Sequence, residues 1–228
     1  SGFSPTLELS SLDGTNGFTL NGIDSIDYSG WSVSSAGDVN ADGFDDIIIG
    51  AFRADPNGSD SGESYVVFGK SSGFSPTLEL SSLDGTNGFT LNGIDSGDFS
   101  GFSVSSAGDV NNDGFDDIII GARGADPNGE SSGESYVVFG NSGGFSPSLE
   151  LSDLNGSKGF TLNGINFGAN SGFSVSSTGD VNGDGFDDLI IGARYANANA
   201  NDSGQSYVVF GGGVVNLTVP ENTTSVIT

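Results

Sequence analysis

Apolar and polar positions alternate along this chain in short segments, never in long ones. Trp31-Ser32-Val33-Ser34-Ser35 alternates in character, as a half-buried strand does. Ile47-Ile48-Ile49 is apolar throughout, as expected of a strand covered on both faces. Ser64-Tyr65-Val66-Val67-Phe68 is rich in the β-branched and aromatic residues that favour strands. A fourth strand falls near Thr19-Leu20-Asn21-Gly22-Ile23, preceded by an arm at Thr6-Leu7-Glu8-Leu9. Clusters of Gly, Asn, Asp and Ser separate these segments and mark turns. No stretch sustains the spacing of an amphipathic helix.

The whole pattern then recurs. Gly2-Phe3-Ser4-Pro5 returns at Gly73-Phe74-Ser75-Pro76 and at Gly144-Phe145-Ser146-Pro147, and Asp38 returns at Asp109 and Asp180, each time 71 residues on. The chain divides into three units, 1–71, 72–142 and 143–213, and a different tail, 214–228. Four short strands per unit, repeated, is the pattern of propeller blades. The expected fold is all-β, with three blades of four antiparallel strands in the chain. A β-helix is the competing repeat, but its rungs are much shorter than these units. Each unit opens with what should be an outer strand and ends with an inner-to-outer trio. The first strand, at 18–23, therefore has no trio before it, and the last trio, ending at 207–210, lacks an outer strand. Propellers typically need about 4–8 blades. A homodimer in which each chain's first strand completes the other's last blade would close a six-bladed ring. Blades in flanking parts of a longer chain would do the same.

Composition narrows the chemistry. There is no Cys and no His, which removes disulfides, thiolate sites and the commonest general base. Thirty acidic residues face five basic ones, for a net charge of −25. Such a surface repels nucleic acid and anionic membranes and attracts cations. Oxygen is the plentiful ligand atom, and oxygen suits hard ions such as calcium. No apolar run is long enough to span a bilayer. The chain starts inside a repeat with no visible signal peptide, and so reads as a piece of a longer protein.

The most informative segment is Asp38-Val39-Asn40-Ala41-Asp42-Gly43-Phe44-Asp45-Asp46, which recurs at 109–117 and 180–188. Side-chain oxygens fall at loop positions 1, 3, 5 and 9. Gly at position 6 permits a sharp turn that lets the position-7 carbonyl face inward. The candidate calcium ligands are Asp38, Asn40, Asp42, the Phe44 carbonyl and Asp46 in the first unit. The second offers Asp109, Asn111, Asp113, the Phe115 carbonyl and Asp117. The third offers Asp180, Asn182, Asp184, the Phe186 carbonyl and Asp188. An EF-hand would need Glu at position 12, where this chain has Ile49, Ile120 and Ile191. The competing reading is a run of Asx turns that binds nothing. Outside the loops, Asp24 and Asp95 become Asn166, Asp55 and Asp126 become Asn197, and Glu63 and Glu134 become Gln205. These outside acids are expected to form a solvated face.

Asp-Val-Asn-x-Asp-Gly-Phe-Asp-Asp, followed by an Ile-rich strand and Gly-Ala, resembles the FG-GAP repeats of integrin α-subunit propellers and their bacterial relatives. The resemblance covers the three units. It implies a propeller whose calcium loops join the first and second strands of each blade. Where the family has Phe-Gly, this chain has Ser29-Gly30, Ser100-Gly101 and Ser171-Gly172. Where it has Gly-Ala-Pro, this chain has Gly50-Ala51-Phe52, Gly121-Ala122-Arg123 and Gly192-Ala193-Arg194.

Catalysis is disfavoured. The clustered carboxylates are taken up by the loops, no Ser-His-Asp set is possible, and Glu8, Glu79 and Glu150 fall on the arms as surface residues. Trp31, Phe102 and Phe173 recur beside the loop-bearing strand and are expected to pack in the core. Their exposure would favour a glycan-binding, lectin-like role, and an accessory domain of a secreted hydrolase is a further alternative. The tail motif Val219-Pro220-Glu221-Asn222-Thr223-Thr224 resembles the opening of a cadherin-like β-sandwich. The near-identity of the units without Cys suits a bacterial source. The expected role is adhesion or scaffolding at a cell surface or in a matrix, with one calcium per repeat and a protein or glycan ligand.

Overall fold

Repetition of the sequence produces repetition of the sheet. In the computed structural model, residues 5–212 are described, and the 214–228 tail read above as a following module lies outside them. The strands are β1 (Thr19–Asn21), β2 (Ser32–Gly37), β3 (Asp46–Ala51), β4 (Glu63–Val67), β5 (Thr77–Glu79), β6 (Gly88–Asn92), β7 (Ser100–Gly108), β8 (Asp117–Ala122), β9 (Glu134–Val138), β10 (Ser148–Glu150), β11 (Gly159–Asn163), β12 (Ser171–Gly179), β13 (Asp188–Ala193) and β14 (Gln205–Val209). The first blade runs β2-β3-β4-β6 from inside to outside, and the second runs β7-β8-β9-β11. All neighbours within a blade are antiparallel. The outer strand of each blade thus comes from the next sequence unit, as the order of strands in the repeat implies. The third blade has only β12-β13-β14, and β1 pairs with no blade.

Two features go beyond the pattern. Each arm adds a parallel strand to the outer strand of the preceding unit: β5 pairs with β1, and β10 with β6. Each arm then turns through a single 3₁₀ turn, Leu9–Ser11, Leu80–Ser82 or Leu151–Asp153. Leu80 and Leu151 are buried there, which explains why a three-residue turn carries a leucine.

The blades are held face to face. Ala36, Val39, Ile48, Val66 and Phe89 of the first blade pack on Val104, Ile118, Ile120 and Tyr136 of the second. Ala107, Ile119 and Val137 of the second pack on Val175, Leu189 and Ile191 of the third. Each large apolar side chain buried in such a seam contributes about 1.5–3 kcal/mol. The Ser-Gly dipeptides serve this packing. A Cβ on Gly121 would lie 2.0 Å from the Gly172 carbonyl oxygen, and one on Gly50 would lie 2.0 Å from that of Gly101. Backbone meets backbone at these points, so no side chain fits. Beside them, the Val104 amide donates to Ser32 Oγ at 3.0 Å and the Val175 amide to Ser103 Oγ at 3.0 Å, tying inner strand to inner strand. Among the described residues no helix is long and apolar enough to cross a membrane.

Candidate metal centres

Each acidic loop leaves the end of an inner strand and enters the buried second strand of the same blade. Position 4 takes the left-handed conformation (Ala41 φ 55°, Asn112 φ 56°, Gly183 φ 77°), and so does the position-6 glycine (Gly43 φ 87°, Gly114 φ 90°, Gly185 φ 93°). The double reversal folds the loop round its own acids. Asp38 Oδ1 and Asn40 Oδ1 both accept the Asp42 amide, at 3.0 and 2.9 Å. Asp38 Oδ2 accepts the Gly43 amide at 2.9 Å, and Asp42 Oδ1 accepts the Phe44 amide at 3.0 Å. The same bonds recur at Asp109, Asn111 and Asp113, and at Asp180, Asn182 and Asp184. Positions 1, 3 and 5 are therefore brought together in every loop. In the third loop the amides of Gly185, Gly183 and Asp184 hold the Asp180 carboxyl below the usual range.

Position 9 closes each loop from below. Asp46, Asp117 and Asp188 are fully buried. Asp46 Oδ2 accepts the Val39 amide at 3.0 Å, and its Oδ1 accepts the Gly69 amide at 2.8 Å. Asp117 and Asp188 are bound in the same way. Burial pushes Asp46 up to about 6 and Asp117 up to about 8; the carboxylates at positions 5 and 1 add to the rise, and the two amides oppose it. Phe44, Phe115 and Phe186 at position 7 turn their side chains against Gly69, Gly140 and Gly211. Among the described residues no three acids stand close enough to make a ready cage for a metal. The donor chemistry nevertheless fits a hard dication. An ionised carboxylate offers about four lone-pair sites, and one or two amides do not exhaust them.

A residue outside the candidate set links the loops. Asp116, at position 8 of the second loop, accepts the Asp38 amide of the first through Oδ2 at 2.8 Å, and Asp187 accepts the Asp109 amide at 3.0 Å. The recurring Asp-Asp doublet was the signal for it.

Two expectations need correction. Of the acids outside the loops, Asp24, Asp55, Asp95 and Asp126 are exposed as expected, but Glu63 and Glu134 are half-buried and do not belong to a solvated face. Glu63 and Glu134 accept the hydroxyls of Tyr65 and Tyr136, at 2.5 and 2.6 Å, and burial pushes both carboxyls up. Asp55 and Asp126 accept the amides of Asp60 and Ser131, each clasping a turn. The aromatics do not all pack in the core either: Trp31 is 56% exposed, and Phe102 and Phe173 are half-buried. Glu79 does lie at the surface, accepting the side-chain amide of Asn21, but Glu150 is half-buried and accepts those of Asn92 and Asn57.

The amide replacements in the third unit are informative. Asn197 still accepts a backbone amide, that of Asp202, and Gln205 still accepts a tyrosine hydroxyl, that of Tyr207. Asn155 likewise replaces Asp13 and Asp84, accepting the Ser157 amide as they accept those of Thr15 and Thr86. At these positions an acceptor oxygen suffices and charge is dispensable. At Asp180, Asp184 and Asp188 the carboxylates remain. No lysine or arginine pairs with any loop acid among the described residues; the two ion pairs there join Arg53 to Asp60 and Lys158 to Asp153.

The family model for the FG-GAP repeat matches three stretches, 29–67, 100–138 and 171–209, together just over half of the chain. The chain is similar to integrin alpha-5 of Xenopus laevis, 30% identical over 181 residues that cover 77% of this chain and 16% of that one. It is similar to integrin alpha-IIb of Mus musculus, 32% identical over 182 residues covering 76% and 16%. It is also similar to phosphatidylinositol-glycan-specific phospholipase D of Bos taurus, 29% identical over 177 residues covering 77% and 20%. The chain thus spans a fifth or less of the length of these relatives.

Proposed function

The chain belongs to the FG-GAP repeat family, and from that premise we propose that it is a non-catalytic, calcium-binding propeller segment of an extracellular adhesion or scaffolding protein. One observation carries the calcium reading. An Asx turn needs only an acceptor oxygen, which Asn supplies as well as Asp. Elsewhere the third unit trades acids for amides without losing a hydrogen bond, yet its loop keeps three carboxylates that no basic side chain balances. Charge retained where hydrogen bonding does not require it points to a cation. Bound calcium supplies the neutralising charge. The chain contributes the oxygens at positions 1, 3, 5 and 9, with Asp46, Asp117 and Asp188 pinned by two amides each. The integrin relatives support an extracellular, adhesion-type setting. The phospholipase relative keeps an accessory role in a hydrolase as the alternative.

Asp113→Asn separates the two readings of the loop. It preserves the acceptor for the Phe115 amide and removes one charge. We expect the rise in melting temperature on adding calcium to shrink in this variant. An unchanged response, or no response in either protein, would leave the loops as turns alone.

We also propose a second copy of this chain as a partner. Residues 17–21 read Gly-Phe-Thr-Leu-Asn, as do β6 and β11, which cover the outer edges of β4 and β9. β14 is that edge without its cover, and Val208 on it is 50% exposed. Residues 17–21 of a second copy match it in register, Thr19 opposite Tyr207 as Thr90 is opposite Tyr65. Light scattering is expected to give twice the 22.9 kDa of one chain, and a stable single-chain mass would overturn this.

A further inference from the structure

The inner strands have another end, roughly 20 Å from the acidic loops at the rise of a six-residue strand. Here Trp31, Phe102 and Phe173 follow one another across the three blades, with ring centroids 5.7 Å apart for the first pair and 5.0 Å for the second. Phe52 fills in between Trp31 and Phe102, at 4.9 and 5.4 Å. Every arginine in the chain stands over this row. Arg53 lies over Tyr28 and Phe52, Arg123 over Phe99 and Phe102, and Arg194 over Phe173 and Tyr195, with guanidinium-to-ring distances from 4.3 to 5.7 Å.

The company these arginines keep is unusual for the protein. Thirty acids outnumber five bases, yet Arg123 and Arg194 have no carboxylate partner among the described residues, and Arg53 has only a long contact to Asp60 at 3.9 Å. Arg123 Nε is buried and donates to nothing. Burial works against its charge and Arg53 adds to that, with Tyr195 opposing. Capping of aromatic rings accounts for the stacking. It does not account for a buried donor left unsatisfied near the like charge of Arg53, in a chain with acids to spare.

We propose that this aromatic and arginine row binds an acidic polysaccharide, a sugar ring lying on the exposed Trp31 and its carboxylates on Arg123 and Arg194. The planar fork of a guanidinium matches a carboxylate. The row repeats ring and cation blade by blade, as a polyuronate repeats ring and anion. An acidic peptide would use the arginines but has no need of the exposed ring of Trp31 beside them. The site lies at the opposite end of the strands from the loops, so it goes beyond the calcium reading and does not depend on it.

Trp31 is the single tryptophan of the chain, so intrinsic fluorescence reports directly on the site. Short oligogalacturonates are expected to change it saturably, and their neutral methyl esters to bind about tenfold more weakly or worse, the loss of a charge-assisted hydrogen bond. Arg123→Gln and Arg194→Gln should each weaken binding by a similar factor. Arg194 is exposed, so its variant should fold even if the Arg123 variant does not. The calcium response, measured on the same samples, should be unchanged in Arg194→Gln. Four results would overturn the proposal: no saturable change in the unmodified protein, equal binding of the methyl ester, polyglutamate binding as tightly as oligogalacturonate, or binding lost in Asp113→Asn but kept in Arg194→Gln. The third would assign the row to acidic peptides, and the last would make calcium at the loops the bridge.

Discussion

The inner strands of this propeller carry opposite chemistry at their two ends. At one end, nine loop aspartates at positions 1, 5 and 9 gather without an ion pair to a basic side chain among the described residues. At the other, three arginines stand over aromatic rings with one long ion pair among the described residues, Arg53 to Asp60. The buried Asp27 and Asp98 lie at the same end, their carbonyls accepting the amides of Arg53 and Gly124. Both ends hold like charges together, and both rely on neutral groups to do so. Backbone amides satisfy the aspartates, and ring faces carry the guanidiniums. A folded chain rarely concentrates one sign of charge without a counterpart, because burial and mutual repulsion oppose it. The two proposals assign a counterion to each end, a small hard cation at one and an extended anion at the other.

The largest effect that would sharpen this contrast is at the loop end. Stripping calcium should lower the melting temperature markedly, because each filled site adds about 2.7 kcal/mol at 100 times its dissociation constant. The same treatment should leave oligogalacturonate binding to the folded protein at the arginine end unchanged, as measured by Trp31 fluorescence below the melting point. Coupled loss at both ends would break the picture of two independent sites.

A smaller effect concerns pH. Asp98 is 6% exposed, just before the arginine-bearing end of the second blade, and burial pushes its carboxyl up to about 6, with Asp95, Glu134 and Asp126 contributing and the Asp95 amide opposing. The folded state therefore favours the protonated form. The corresponding stability is fully present below the ordinary value of 3.8 and is lost as pH rises through about 6. Denaturant unfolding at pH 4 and pH 7, in chelator, should show a loss to which the raised Asp46 and Asp117 also contribute, and Asp98→Asn should reduce it by on the order of 1–2 kcal/mol. Ala169 already holds this position in the third blade, which should contribute nothing to the slope.

The smallest effect is the stability change in Arg194→Gln. Its stacking on Phe173 and Tyr195 is exposed and should contribute no more than about 1 kcal/mol. A much larger loss of melting temperature would make the arginines structural caps and weaken the contrast between the ends.

The blades were legible because a buried strand declares itself by composition. Ile118, Ile119 and Ile120 are all buried, as an unbroken apolar run requires. The phase of the repeat was legible too, since an outer strand must be supplied by whichever unit comes next. What the pattern hides is the use of polar groups across a seam. Ser32 and Ser103 look like solvent-facing positions of an alternating strand, yet each accepts an amide from the adjacent blade. Asp116 reads as a spare acid beside Asp117, yet it joins two loops. Trp31 was expected inside because aromatic residues usually are. It is exposed together with Val33 on the first blade, whereas Phe102 and Phe173 at the same place in the other blades are half-buried, a difference that periodicity does not report. The arginines escaped notice for a related reason: Arg53, Arg123 and Arg194 are 70 or 71 residues apart, and only the turning of blades about a common centre brings them to one row.

The central claim is that the loop aspartates hold calcium, and titration calorimetry on the metal-stripped chain tests it most directly. The account predicts about three ions per chain, one for each loop, with dissociation constants of roughly 10⁻⁴ to 10⁻³ M or tighter, and one fewer ion in Asp113→Asn. No heat of binding at millimolar calcium, or a count unchanged by Asp113→Asn, would contradict it.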